Sequence, residues 1–250
     1  MSKRVDYVFI HGGGQGGWVW QQTIAALQRQ LHGETGKLLA LDVPGCGAKR
    51  GRSTDDLTMD DIARELIADI DAAGAKDVIL VGHSQAGQAM NPMVRLQPEL
   101  FQRLVYVSCS APLPGQNVLQ MIGTGLHGAN SAQVGWPVDP KSSSVAERFA
   151  LMFCNDMQGP AKSDFLAKLG KDMWPRQSYS FSGWTYGHLE AVPATFVICL
   201  KDLSLPPPWQ EAFAARVNAQ KLVRIDAGHQ VMNTRPEGLA EILRLEALET

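Results

Sequence analysis

Apolar and polar residues alternate between two rhythms along this chain. Short apolar runs rich in β-branched residues recur at 5–10, 37–41, 77–81, 103–107, 195–200 and 222–225, and each reads as a buried strand. Stretches with helical spacing lie between and after them, at 18–31, from Thr58 onward, and at 85–97, 208–217 and 235–248. In the second of these, Ile62, Leu66, Ile67 and Ile70 share one face, and Asp60 and Asp61 follow Thr58 at the positive end of the helix. Strands alternating with helices predict parallel pairing through right-handed crossovers. The expected fold class is therefore α/β, with a mostly parallel sheet of about six strands and helices on both faces.

Residues 111–190 break the rhythm. They are rich in Gly, Pro, Ser, Trp and Met, with helices predicted near 144–153 and 162–169. So long an interruption between adjacent strands is usually functional. Phe149, Phe153, Trp174, Phe181 and Trp184 favour a packed layer over a flexible loop. The expected organisation is a core of 1–110 and 191–250, with a cap at 111–190 inserted after the fourth strand. There is no internal repeat.

Composition narrows the function. The chain has 250 residues, 45% of them hydrophobic and 19% charged, with a net charge of −2. That balance suits one globular domain with a large core. It offers no basic footprint for nucleic acid or an anionic membrane surface. Asp6 interrupts the first apolar run, and no segment approaches the roughly 18 apolar residues of a membrane span. Cys46, Cys109, Cys154 and Cys199 form no C-x-x-C pair, so reduced structural thiols, no metal and a cytoplasmic location are expected.

The chemistry concentrates around Ser84. The run Val78-Ile79-Leu80-Val81 breaks at Gly82, and His83-Ser84-Gln85-Ala86-Gly87 leads into a helix. This is the form of a nucleophile elbow, a tight strand-to-helix turn that holds a serine hydroxyl at the top of a sheet. Gly82 and Ala86 leave room for the two backbones to approach, with Ala86 standing where the usual pattern has glycine.

A second glycine cluster, His11-Gly12-Gly13-Gly14-Gln15-Gly16-Gly17, follows the first strand. Alone it has two readings. Gly12, Gly14 and Gly17 satisfy a dinucleotide fingerprint, with Asp42 ending the next strand. The same residues also suit an oxyanion loop of the H-G-G-G type. The elbow favours the second, because a hydrolase sheet sets these loops side by side, and no Tyr-x-x-x-Lys pair exists for a reductase. No cofactor is expected.

A serine hydroxyl needs a base that is neutral near pH 7, which favours histidine. His229, after the last strand, falls at the same sheet edge as Ser84, whereas the His83 side chain should point away and pack. Asp202, after the fifth strand, is the expected orienting acid, with Asp226 in reserve. Backbone N–H groups of Gln85 and Gly13 are the expected oxyanion donors. Within the cap, Leu126, Trp136, Phe153, Met157, Trp174 and Phe181 are candidates to line an apolar substrate pocket, together with Gly12 from the glycine loop.

Taken together, these residues resemble the α/β-hydrolase superfamily, and within it the branch of plant-type methylesterases and hydroxynitrile lyases with their bacterial relatives. His11-Gly12-Gly13-Gly14-Gln15-Gly16-Gly17-Trp18-Val19-Trp20 resembles that branch's opening signature, and Gly82-His83-Ser84 its elbow. The stretch Ile198–Asp202 with Leu205-Pro206-Pro207 resembles its acid loop, Gly228-His229-Gln230-Val231-Met232 its histidine loop, and Phe153-Cys154-Asn155-Asp156 a stretch of its cap. Similar lyases carry threonine where this chain has Gly12 and lysine where it has Gln230. Both departures imply hydrolysis of a small carboxylic ester or lactone through an acyl-enzyme. A hydroxynitrile-type or carbon–carbon lyase and a noncatalytic small-molecule receptor are the alternatives. The expected partner is a small-molecule ester, not nucleic acid or membrane, and a homodimer is left open.

Overall fold

The computed structural model describes residues 5–32 and 36–249. Six strands form one sheet: β1 (Asp6–Ile10), β2 (Leu38–Leu41), β3 (Val78–His83), β4 (Phe101–Val107), β5 (Ala194–Cys199) and β6 (Lys221–Ile225). The helices are α1 (Gln21–Gln30), α2 (Met59–Ala72), α3 (Ala86–Leu96), α4 (Val118–Ile122), α5 (Val145–Cys154), α6 (Gly159–Lys168), α7 (Gln177–Ser180), α8 (Pro207–Arg216), α9 (Val231–Thr234) and α10 (Pro236–Glu246). Among the described residues no helix is long and apolar enough to cross a membrane.

Every strand pairs in parallel, in the order β2-β1-β3-β4-β5-β6. The chain therefore starts inside the sheet, runs out to β2, and returns to lay β3 on the free side of β1. Ligands of open α/β sheets bind at such a reversal, beyond the carboxyl ends of the strands. Here Ile10 pairs with Gly82, so the glycine loop and Ser84 leave the sheet next to each other.

The two-residue period of the strands explains the two-sided core. Val8, Ile10, Leu80, Leu104, Tyr106, Phe196 and Ile198 face one way and pack with α2, α3 and α8 through residues such as Ile62, Leu66, Ile70, Met90 and Phe213. Tyr7, Phe9, Ile79, Val81, Val105, Val107 and Val197 face the other way and pack with α1 and α10 through Ala26, Leu27, Leu239 and Leu243. Each such fully buried aliphatic or aromatic side chain contributes about 1.5–3 kcal/mol. Both faces being covered, β3 and β5 are buried along their whole length.

Thr58, read from the sequence as the start of α2, caps it in a reciprocal pair with Asp61. The helix read at 18–31 opens differently. Its first turn, Gly17–Trp20, is a 3-10 turn, and α1 proper begins at Gln21. The tighter turn buries Trp20 against Phe9. The long stretch between β4 and β5 carries α4 to α7, of which only α5 and α6 have the length that periodicity can detect.

Candidate active site

Ser84 lies between β3 and α3 with φ +55, a conformation rare for any residue with a side chain. The turn is over-determined by its bonds: Ser84 N–H donates to Val107 O at 3.2 Å, and Ser84 O accepts from Ser110 N at 3.0 Å. It is also crowded. A Cβ added at Gly82 would collide with Met90 Sδ, and one at Gly87 would sit 2.6 Å from Ser110 O. At Gly87, therefore, α3 lies too close to the chain after β4 for a side chain.

The structure brings three distant side chains together. His229 Nε2 lies 3.0 Å from Ser84 Oγ, and His229 Nδ1 lies 2.6 Å from Asp202 Oδ2. With Nδ1–H donating to the carboxylate, Nε2 is left as the acceptor for the serine hydroxyl. Asp202 is itself held by donors. Its Oδ1 accepts from Ser204 N at 2.6 Å and Leu205 N at 2.8 Å, and its Oδ2 accepts from Ser108 Oγ at 2.5 Å. Both His229 and Asp202 are buried. Asp226 points to solvent and pairs with Lys201 at 2.7 Å, so it does not reach the histidine.

Two further histidines support this arrangement from below. The His83 ring packs on that of His229 with centroids 4.6 Å apart, and its Nε2–H donates to His229 O at 2.9 Å. Burial pushes its pKa well below the usual histidine value, and the neighbouring His229 adds to the shift. His11 accepts from Val43 N at Nε2 and donates from Nδ1 to Gly12 O at 2.8 Å, and burial lowers its pKa too. Both are therefore neutral props.

Ser84 opens into a cavity of about 320 Å³. Gly13, Gln85, Gln88, Ser110 and Ser204 line it from the sheet side, while Val118, Met121, Trp136, Phe149, Met152, Phe153, Leu169, Met173 and Tyr179 line it from segment 111–190. Among the described residues no charged side chain is part of its walls. Neither the Gly13 nor the Gln85 backbone N–H donates to a protein acceptor among the described residues. The Gln85 side chain lies against Gly13, where an added Cβ would meet its Oε1, and donates to Ser178 Oγ at 3.0 Å.

Of the expected pocket residues, Trp136 and Phe153 line the cavity and the others do not. Trp174 is buried because its indole N–H donates to Gly12 O at 3.2 Å, with its ring against His11. Phe181 packs edge-on against Trp184, centroids 4.6 Å apart. Leu126 is half exposed and bridges to Trp136 through its backbone. Met157 joins the apolar cluster on the α1 and α10 side. Gly12 lies under the site, where an added Cβ would be 3.0 Å from both His83 Nδ1 and Ser84 Cβ. Gln230 is fully buried and outside the cavity.

Sequence reasoning missed Ser108, Tyr179 and the short helix α4 with Val118 and Met121. Only α4 carried a signal, the capping box formed by Asn117 and Gln120. Among the described residues no group of three His, Cys, Asp or Glu side chains is arranged to hold a metal ion.

The sequence profile of the alpha/beta hydrolase family matches residues 7–242. The chain belongs to the alpha/beta hydrolase family. Within it, the chain is 26% identical over 267 residues to the esterase PIR7B of Oryza sativa subsp. japonica, covering 97% of this chain and 95% of the other. It is 30% identical over 129 residues, 51% of each chain, to a carbendazim hydrolyzing esterase of a Nocardioides strain. The fold of this family member is similar to that of a pyrethroid hydrolase from Sphingobium faniae, with a TM-score of 0.75, 20% identity and 98% of each chain covered.

Proposed function

We propose that this chain is a serine carboxylic ester hydrolase working through an acyl-enzyme intermediate. The observation that carries the reading is the unbroken sequence of contacts from Asp202 through His229 to a serine hydroxyl at the mouth of an apolar cavity. Relatives bearing esterase names support it.

Ser84 Oγ attacks the ester carbonyl carbon while His229 Nε2 takes its proton. Asp202 stabilises the imidazolium that results. The carbonyl oxygen becomes an oxyanion and accepts from the Gly13 and Gln85 N–H groups, each worth about 2.7–4 kcal/mol of barrier. His229 then gives its proton to the departing alkoxide, and the alcohol leaves. Water attacks the acyl-serine with His229 again as base, and the carboxylic acid is released. The uncharged walls suit an apolar acyl or alcohol group. They also supply no cation to receive a departing cyanide, which disfavours the lyase alternative. Segment 111–190, which supplies most of those walls, acts as the cap that selects substrate.

The test is Ser84→Ala assayed against p-nitrophenyl esters. Turnover falls by about 10⁴-fold or more while the fold and the melting temperature survive. A variant that kept most of the activity would remove Ser84 as nucleophile.

A further inference from the structure

Phe153-Cys154-Asn155-Asp156, at the end of α5, is not used by the reaction just described. Phe153 and Cys154 also pack within an apolar cluster, but the polar side chains of Asn155 and Asp156 reach the loops that carry the acid and the base. Asn155 Nδ2 donates to Lys201 O at 2.7 Å, one residue before Asp202. Asp156 Oδ2 accepts from Gly228 N at 2.7 Å, one residue before His229, and from Thr234 Oγ1 at 3.0 Å. The two loops are already joined, since Lys201 N donates to Ala227 O at 2.9 Å. Two residues back, the Phe153 ring stands edge-on to the His229 imidazole, centroids 5.4 Å apart.

We infer that Asn155 and Asp156 are positioning residues, a clamp through which segment 111–190 sets the alignment of His229 against Asp202 and Ser84. The inference rests on the hydrolase reading above. Physically, a carboxylate accepting from a backbone N–H fixes the height of the residue that follows it, here His229. The amide of Asn155 does the same for Asp202 from the other side. The fit is close. A Cβ added at Gly228 would collide with Asn155 Oδ1 and lie 2.5 Å from Asp156 Oδ1, so only glycine lets the clamp close. Met152 and Phe153 of the same helix wall the cavity, so whatever fills it presses on the element that holds the base. Small displacements at a reacting centre are costly in rate, up to about 10²-fold for 1 Å.

The experiment compares Asp156→Ala, Asp156→Asn, Asn155→Ala and Gly228→Ala with wild type on a p-nitrophenyl ester. Asp156→Ala and Gly228→Ala are expected to lower kcat by about ten- to a hundred-fold, with KM changed by less than about two-fold. Asp156→Asn keeps an acceptor for Gly228 N–H and is expected to recover most of kcat. Asn155 is exposed, so Asn155→Ala folds and gives a smaller loss in kcat alone. In parallel, the low-field proton resonance of His229 Nδ1–H is expected to shift or broaden in Asp156→Ala and to return in Asp156→Asn. Wild-type kcat with an unmoved resonance would overturn the clamp, and so would a loss that appears in KM and melting temperature and is not rescued by asparagine. If Ser84→Ala keeps its turnover, the hydrolase reading fails instead, and the His229 resonance still decides whether the clamp acts.

Discussion

Ser108 donates its hydroxyl to Asp202 Oδ2 at 2.5 Å, the same oxygen that faces His229 Nδ1. It is the first residue after β4, buried, with φ +41, and its N–H donates to Val197 O at 3.0 Å. The strained backbone aims the hydroxyl at the carboxylate and fixes which oxygen the histidine meets.

Removing that donor takes one of the two hydrogen bonds from the buried, charged Oδ2 and leaves the carboxylate to be held by Ser204 N, Leu205 N and His229. A hydrogen bond to a charged group is worth about 1.5–3 kcal/mol. Ser108→Ala is therefore expected to lower kcat/KM by about ten-fold or more, mainly in kcat. Steady-state kinetics on a p-nitrophenyl ester checks it, and an unchanged kcat would mean that the Ser204 and Leu205 N–H groups orient the acid unaided.

Asp202→Asn should be far more damaging than its size suggests. Oδ1 accepts from two backbone N–H groups, so the amide oxygen would occupy that side and the NH₂ would face His229 Nδ1. Nδ1 would then have to accept, and the proton would move to Nε2, where no lone pair remains for Ser84. A loss of about 10⁴-fold in kcat is expected with little change in fold. A loss below ten-fold would mean that the tautomer of His229 is set elsewhere.

At the elbow, two adjacent small residues should respond unequally to substitution. An added Cβ at Gly87 meets Ser110 O, which is backbone and cannot swing away. Gly87→Ala is expected to destabilise by about 1–3 kcal/mol and to lower activity by moving Ser84. Ala86→Gly adds only helix-start entropy, about 1 kcal/mol or less. Urea unfolding of the pair checks the contrast, and equal effects would dismiss the crowding argument.

What was legible in the sequence was mostly local. The six apolar runs, the elbow and the residues following β5 and β6 each announce themselves within a few positions, and parallel topology brings their ends to one edge. Ser108 was invisible because its partner lies 94 residues away and a serine after a strand has no signature. Within segment 111–190, aromatic type indicated burial but not in what. Trp174 went to the core because Gly12 O satisfies its indole, while Tyr179, with its hydroxyl, lines the cavity. The helices α4 and α7 are too short for periodicity to reveal.

The buried histidines make stability depend on pH in a definite direction. His11 and His83 are held neutral in the fold by burial, while in the unfolded chain histidine titrates near about 6.5. Below that value the unfolded state binds protons that the folded state does not, so stability is flat above it and falls as pH drops through it. Each such histidine contributes a loss of about 1.4 kcal/mol per pH unit until its own folded pKa is reached. Urea unfolding at pH 7.5 and 5.0 should therefore show a loss that shrinks by one histidine's share in His83→Gln, whose amide can still donate to His229 O. If the variant and wild type lose the same stability between the two pH values, His83 is taking up a proton in the fold, and its Nδ1, which has no partner among the described residues, must find one there.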